Sequence, residues 1–442
     1  MADYALMRTA VHSSDPTVIG RYLFPLMLRN MSSDGFVFTD PTDSTRFSAP
    51  GCVIASPSFE RNLAAVRQNY VYNWTRDAAV TAIEIAAADN PVAPTGGSGP
   101  LEDYVGFADL CQRNAPTLAR ACYTIEGRPR DWTDQNDGPA LQSVAILQAF
   151  DQLERTAQET ARVVLQRNVD FLLEHYQQPS FNLWEETRGQ SFFTRSVQLR
   201  CFTDVKGNQI GLPVPAGVDD AISWLEAALP THWNGLHYVS ILDPENPRPG
   251  YDPNIDIVLA CVYGAVGCAD PRLLATAAEL RQQWADPQGA AFYLINGIDA
   301  GKGMGPLLGR YPGDIYDGDD NNSGTDHPWA LCTANFAQLY YDLAATVGQT
   351  GHIPIDELSG RFFAQVGVDD TTAPADAVAR LTGAGDRMLQ AVVYHSDHLE
   401  LSEQFDGATG YEKSVRNLTW SYAAFLSAAR ARTAAAAAIS PA

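Results

Sequence analysis

The sequence predicts a mainly α-helical chain, and three observations carry that prediction. Apolar residues recur at spacings of three and four along much of the length, strand-like runs are few, and nothing alternates strands with helices as a doubly wound sheet would. Leu165, Val169, Leu172, Leu173 and Tyr176 fall on one face of such a helix. Stretches of the same kind lie near 17–32, 75–89, 138–152, 217–229, 255–266, 271–284, 327–346, 373–392 and 413–432, with Gly, Pro and Asp clusters between them. The total comes to roughly a dozen helices. The better strand candidates are 236–242 and 291–295.

The segments between helices are informative in their own right. Long ones at 92–100, 123–138, 178–191, 243–254 and 296–328 are rich in Gly, Pro, Asn and aromatic residues. Ordered loops of that length carry sites more often than they merely connect. Residues 1–432 are expected to form a single domain, with 433–442, mostly alanine, as a flexible tail.

Composition narrows the function. The chain has 442 residues, 45% of them hydrophobic, and 52 acidic against 30 basic residues give a net charge of −22. Such a surface repels nucleic acid and anionic lipid, so a neutral ligand is expected and neither nucleic acid nor a membrane is expected as a partner. No stretch is apolar enough to span a bilayer, and the first residues lack the apolar core of a secretory signal. A cytoplasmic monomer is the expectation. The seven cysteines form no C-x-x-C pair and read as free thiols, and with eight histidines but no H-E-x-x-H no metal or other cofactor is implied.

Three segments hold the chemistry. In Asn182-Leu183-Trp184-Glu185-Glu186 two carboxylates adjoin an indole, which can desolvate a carboxyl until it stays protonated and can donate to a leaving oxygen. The same pair also suits the solvated first turn of a helix. Glu403, in Leu401-Ser402-Glu403-Gln404, offers a second carboxylate before a long helical run, and it reads equally as part of a capped loop. Glycoside hydrolysis with inversion needs two such groups about 6.5–9.5 Å apart, one protonated and one ionised, with a water between base and sugar. The third segment, Tyr70-Val71-Tyr72-Asn73-Trp74-Thr75-Arg76-Asp77, supplies rings for sugar C–H faces and an Arg-Asp pair for hydroxyls. That pair fits a structural ion bridge as well.

Together with Asp137-Gly138-Pro139-Ala140-Leu141, Gly309-Arg310-Tyr311-Pro312, Pro328-Trp329 and Leu418-Thr419-Trp420-Ser421-Tyr422, these segments resemble the glucoamylases of glycoside hydrolase family 15, in their fungal-type catalytic form. The resemblance implies an (α/α)6 barrel of six inner and six outer helices. It implies an inverting, exo-acting enzyme that releases β-D-glucose from α-1,4-linked maltooligosaccharides. By the same carry-over Glu185 is the general acid and Glu403 the general base. Arg76, Asp77, Glu186 and Arg310 bind the terminal sugar, and Tyr70, Trp74, Leu183, Trp184, Trp329 and Trp420 wall its pocket.

One departure bears on specificity. The family usually carries a Trp directly before Gly-Arg-Pro, where this chain has Glu126-Gly127-Arg128-Pro129, followed by extra residues 130–136. Loss of an aromatic platform and gain of a carboxylate would alter the leaving-group side, so α-1,6-linked or other small α-glucosides such as trehalose remain open. A non-catalytic sugar-binding protein on the same barrel is the reading from another class.

Other patterns are set aside. The run from Asp317 to Gly324 lacks the Gly and Glu of a calcium loop. Gly301-Lys302-Gly303-Met304-Gly305-Pro306 is no dinucleotide fingerprint. The sequons at Asn73 and Asn417 fall inside the sugar motifs, where a glycan would block the pocket.

Overall fold

The computed structural model describes residues 15–59, 69–88, 99–318 and 326–438. Among them fourteen helices dominate and the strands are short. In chain order the helices are α1 (Pro16–Leu28), α2 (Thr75–Ala86), α3 (Pro100–Asn114), α4 (Gly138–Ala149), α5 (Arg155–His175), α6 (Phe192–Lys206), α7 (Val218–Ala228), α8 (Asp256–Val262), α9 (Pro271–Ala285), α10 (Leu294–Ala300), α11 (Ala330–Thr350), α12 (Gly360–Ala364), α13 (Pro374–His395) and α14 (Thr419–Ala437).

Six of them close a ring. α2 packs on α4, α4 on α6, α6 on α8, α8 on α11, α11 on α14, and α14 returns to α2. The helices between them in sequence, α1, α3, α5, α7, α9 and α13, pack outside, and the short α10 and α12 are additions. This is an (α/α)6 barrel.

The side chains explain the two layers. Inner helices touch neighbours on every side, so α4 buries Pro139 through Ile146 without a polar face. An outer helix needs one apolar stripe only: α5 buries Ala161, Val164, Leu165, Val169 and Leu172 and leaves its other faces polar. Where the layers come closest, bulk is excluded; a Cβ on Gly385 of α13 would stand 2.7 Å from the Tyr341 ring of α11.

Some local expectations are corrected. Residues 291–295 do not form a strand: Leu294 opens α10. Of 236–242 only Ile241–Leu242 pairs as a strand, against Ser191 and Gln190. Helices α3 and α6 were not expected. The last helix continues to Ala437 with Ala435 buried, so 433–437 are helical where a flexible tail was anticipated. The 92–100 loop and the Asp317–Gly324 run lie largely outside the described residues.

The barrel dictates where the site falls. Segments leading into the N-termini of α2, α4, α6, α8, α11 and α14 gather at one end of the ring, and the candidate residues sit in or beside them.

Candidate active site

At that end lies a pocket of about 340 Å³, and every candidate residue lines it. Trp74 caps the start of α2, whose first turn carries Arg76 and Asp77. Trp329 does the same for α11, and Trp420 stands in the first turn of α14. Trp184 stacks on Trp420 and leans on Trp329, with centroids 6.2 and 5.8 Å apart. These aromatic side chains form a wall of C–H-binding faces.

The Glu pair is not the first turn of a helix. It occupies the loop of a hairpin between Ser180–Phe181 and Arg188–Ser191. Asn182 organises the loop: its side-chain oxygen accepts from the Glu186 and Thr187 amides, and its carbonyl accepts from the Glu185 amide. Glu185 is thereby held at φ +64°, a left-handed conformation that costs a side-chain-bearing residue free energy.

Glu185 keeps 18% of its side chain exposed. Trp74 donates its indole N–H to Oε1 at 2.7 Å, and the Arg76 guanidinium lies 3.5 Å from the same oxygen. Trp132 donates to Oε2. The expected desolvation by Trp184 is not what the turn provides. That indole points its N–H at Asn254, and the rings that meet Glu185 bring donors rather than apolar cover.

Glu403 has a different setting. It is buried, Tyr70 donates to its Oε1 at 3.1 Å, and Tyr316 at 3.1 Å and Ser414 both donate to Oε2. Burial pushes its carboxyl up to about 7, against the pull of Ser414, Arg310 and the two tyrosines. Burial likewise lifts Asp77 to about 6, opposed by Arg76.

The sugar-clamp candidates are compensated ion clusters. Arg76 meets Asp137, Asp77 and Glu185, while its Nε is buried without a hydrogen-bond partner. Arg310 is gripped by Asp314 at 2.7 Å through two nitrogens and reaches Glu186 at 3.0 Å. Tyr311 and Arg248 also donate to Glu186.

A sequence profile of the glycosyl hydrolases of family 15 matches residues 27–96 and 129–430. The chain is a family 15 glycosyl hydrolase. The hydrolase is 27% identical over 427 residues to a probable glucoamylase of Schizosaccharomyces pombe, covering 91% of this chain and 88% of the relative. It is also 27% identical to the intracellular sporulation-specific glucoamylase of Saccharomyces cerevisiae, covering 87% and 79%. Among solved structures it resembles the Hormoconis resinae glucoamylase with TM-score 0.76 and 26% identity, covering 94% of this chain and 73% of that one. For the Saccharomycopsis fibuligera glucoamylase the values are 0.78 and 24%, with 98% and 95% covered, a likeness of fold.

The expectation about Glu126 in this hydrolase is corrected by the site. Glu126 does not line the pocket; its carboxylate sits between Arg46 and Arg128, 4.0 and 3.8 Å away. Nor is the aromatic side chain missing, because the extra segment supplies Trp132. Sequence reasoning also passed over Arg130, Tyr316, Ser414 and Arg248. A tryptophan beside an Arg-Asp pair in a long polar loop was a readable sign for Trp132, whereas Ser414 carried none.

The remaining sequence observations resolve simply. Asn73 donates its side-chain amide to the Val53 carbonyl, and Asn417 donates its own to Glu400, so both sequon amides are engaged. Asp317 pairs with His327 and Lys413. All seven cysteines are free thiols. Among the described residues no helix is long and apolar enough to cross a membrane.

Proposed function

We propose that this family 15 hydrolase is an inverting, exo-acting glucoamylase that removes β-D-glucose from the non-reducing ends of α-1,4-linked maltooligosaccharides. The observation that carries the reading is one aromatic-walled pocket lined by two carboxylates in unlike surroundings, Glu185 among N–H donors and Glu403 buried among hydroxyls. Two carboxyls kept chemically distinct are what an acid and a base in one site require.

The terminal glucose sits between the Arg76–Asp77 and Arg310–Glu186 clusters. Each presents a cation and an anion whose charges largely cancel, which suits neutral hydroxyls. The Arg76 Nε, 3.8 Å from Asp77 and without a hydrogen-bond partner, offers a buried donor that a sugar oxygen satisfies. Glu185 gives its proton to the glycosidic oxygen as the bond to C1 breaks. Its Oε1 is engaged by both Trp74 and the Arg76 cation, and its Oε2 by Trp132 alone, so Oε2 carries that proton on its remaining lone pair. Glu403 removes a proton from water as the water attacks C1 from the opposite face, which inverts the anomeric centre. Tyr70, Tyr316 and Ser414 fix the carboxylate that does this. Glu403 must be ionised, so kcat/KM falls as the pH drops through its raised pKa.

Time-resolved proton NMR of maltose, maltotriose, isomaltose and trehalose tests the proposal. Maltose and maltotriose are expected to release β-glucose first, faster than the other two release glucose. Glu185→Gln and Glu403→Gln are each expected to lower kcat by roughly a hundredfold or more with sugar binding retained. Appearance of the newly cleaved non-reducing glucose as the α anomer, or full activity in either variant, refutes the scheme. The buried free thiols support residence in a reducing compartment such as the cytoplasm. We take the working form to be a monomer, which sedimentation of the purified chain tests directly.

A further inference from the structure

Arg76 and Arg310 are each matched by carboxylates, but a third guanidinium in the same pocket is not. Arg130 lines the pocket, lies half-buried and makes no ion pair among the described residues. The acids nearest to it in sequence are committed elsewhere: Asp131 and Asp134 both pair with Arg120, at 3.4 and 3.5 Å. The guanidinium is held in place without neutralisation. It lies 4.3 Å from the Tyr72 ring centroid and 4.2 Å from that of Trp132, and it reaches the Cys122 thiol. Two rings fix its plane and leave its N–H edge for hydrogen bonding.

Its place in the pocket decides what meets that edge. Trp132 is 42% exposed, whereas Trp74, Trp184, Trp329 and Trp420 are buried, so the Arg130–Trp132 pair stands at the mouth. Trp132 also holds Oε2 of Glu185, the oxygen that faces the leaving group in the proposed reaction. In an exo-acting enzyme the terminal glucose fills the buried end and the leaving group lies at the mouth. A fixed, uncompensated cation there is matched by an anion on the leaving group, since a planar guanidinium pairs with carboxylate or phosphate through parallel hydrogen bonds.

Resting on the glucoamylase-type reading, we infer that Arg130 is a specificity-determining residue that favours α-glucosides whose leaving group carries a carboxylate or phosphate. In a chain of net charge −22 this local cation is what admits such a substrate.

The test compares leaving groups that differ in charge. Maltobionate and maltitol share an open-chain leaving group and differ by a carboxylate; maltose 1-phosphate is set against methyl α-maltoside for the phosphate case. At low ionic strength the wild-type protein is expected to show kcat/KM roughly tenfold higher for at least one anionic member than for its neutral partner, with the advantage shrinking as salt is added. The arm that shows it identifies the anion. Arg130→Gln is expected to reduce the ratio to one or below, and Arg130→Lys to retain part of it, which separates charge from disturbance of the Trp132 ring. Wild-type turnover of maltose with no anionic preference in either arm overturns the role of Arg130 alone. A preference surviving in Arg130→Gln does the same. Inertness of the wild type towards all these glucosides and maltotriose overturns the glucosidase reading and this inference with it.

Discussion

Ser414 donates its hydroxyl to Oε2 of Glu403, and that bond opposes the effect of burial by favouring the ionised carboxylate. Ser414→Ala removes one donor and leaves Tyr70 and Tyr316 in place. The Glu403 carboxyl, already raised to about 7, then moves higher. A base must be ionised to act, so the acidic limb of the kcat/KM profile is expected to shift to more alkaline pH by roughly one unit, the equivalent of a charged hydrogen bond. A limb that stays put, or moves to lower pH, counts against Glu403 as the base. At this scale the sequence was uneven. Glu185, Glu403 and the Arg76-Asp77 pair were legible because their chemistry lies within short runs. Ser414, eleven residues beyond Glu403, was not, because a lone serine in a loop has no pattern to mark it. Glu126 misled for a related reason: a substitution is visible in a sequence, whereas replacement by Trp132 from six positions further on requires the fold.

The hairpin carrying Glu185 is the element on which catalysis turns. Its loop conformation rests on Asn182, which is fully buried, bonds three amides of the loop through its side chain and carbonyl, and donates to Tyr251. Asn182→Ala is expected to leave the Glu186 and Thr187 amides unsatisfied and to cost roughly 2–4 kcal/mol of stability. It should release Glu185 from its left-handed conformation and lower kcat at least tenfold, with a smaller change in KM. Chemical denaturation and steady-state kinetics read the two effects separately; an unchanged kcat in folded protein would show that the loop geometry is not needed. Element prediction from the chain worked where burial is one-sided. Outer helices such as α5 announce themselves by an apolar stripe. The inner α6 did not, because its buried face includes Thr194, Arg195, Ser196 and Gln198. Three of those side chains bond partners far along the chain: Arg195 bonds His232, Ser196 the Ala260 carbonyl, and Gln198 the Asn136 carbonyl. Periodicity of apolar residues cannot register a helix that buries polar side chains along with apolar ones. Helix α3 is a different case, since Leu101, Tyr104, Val105, Ala108 and Cys111 do form a stripe behind Pro100, and the Gly- and Pro-rich run before it obscured the start.

Across the whole molecule, burial has raised a set of carboxyls rather than one. Asp77 and Asp342 stand at about 6, Asp252 at about 6, Glu403 at about 7 and Asp256 at about 8, with desolvation the largest cause in each. The closed ring of inner helices produces this, because residues at its axis and loop end have protein on every side. The consequence for stability has a definite sign. A carboxyl with a raised folded pKa holds its proton in the native state when the unfolded chain, titrating near pH 4, has released it. The native state therefore binds more protons between about pH 4 and pH 8, and stability falls as the pH rises through that window. The contribution is complete below the unfolded pKa and is gone above the folded one. Accumulating negative charge on a chain already at −22 adds to the same trend. The midpoint of thermal unfolding is accordingly expected to be higher at pH 5 than at pH 8 by at least about 5 °C, on the scale by which 1 kcal/mol moves a large domain a few degrees. Asp256 is the sharpest probe, being fully buried, bonded by Ser240 and without an ion pair among the described residues. Asp256→Asn keeps an acceptor for that hydroxyl and cannot ionise, so its unfolding midpoint should fall less steeply between pH 6 and pH 8 than that of the wild type. Calorimetry of the two proteins across that range decides it: parallel slopes would mean that the buried carboxyl is ionised or hydrated in the folded protein and that the stability profile has another origin.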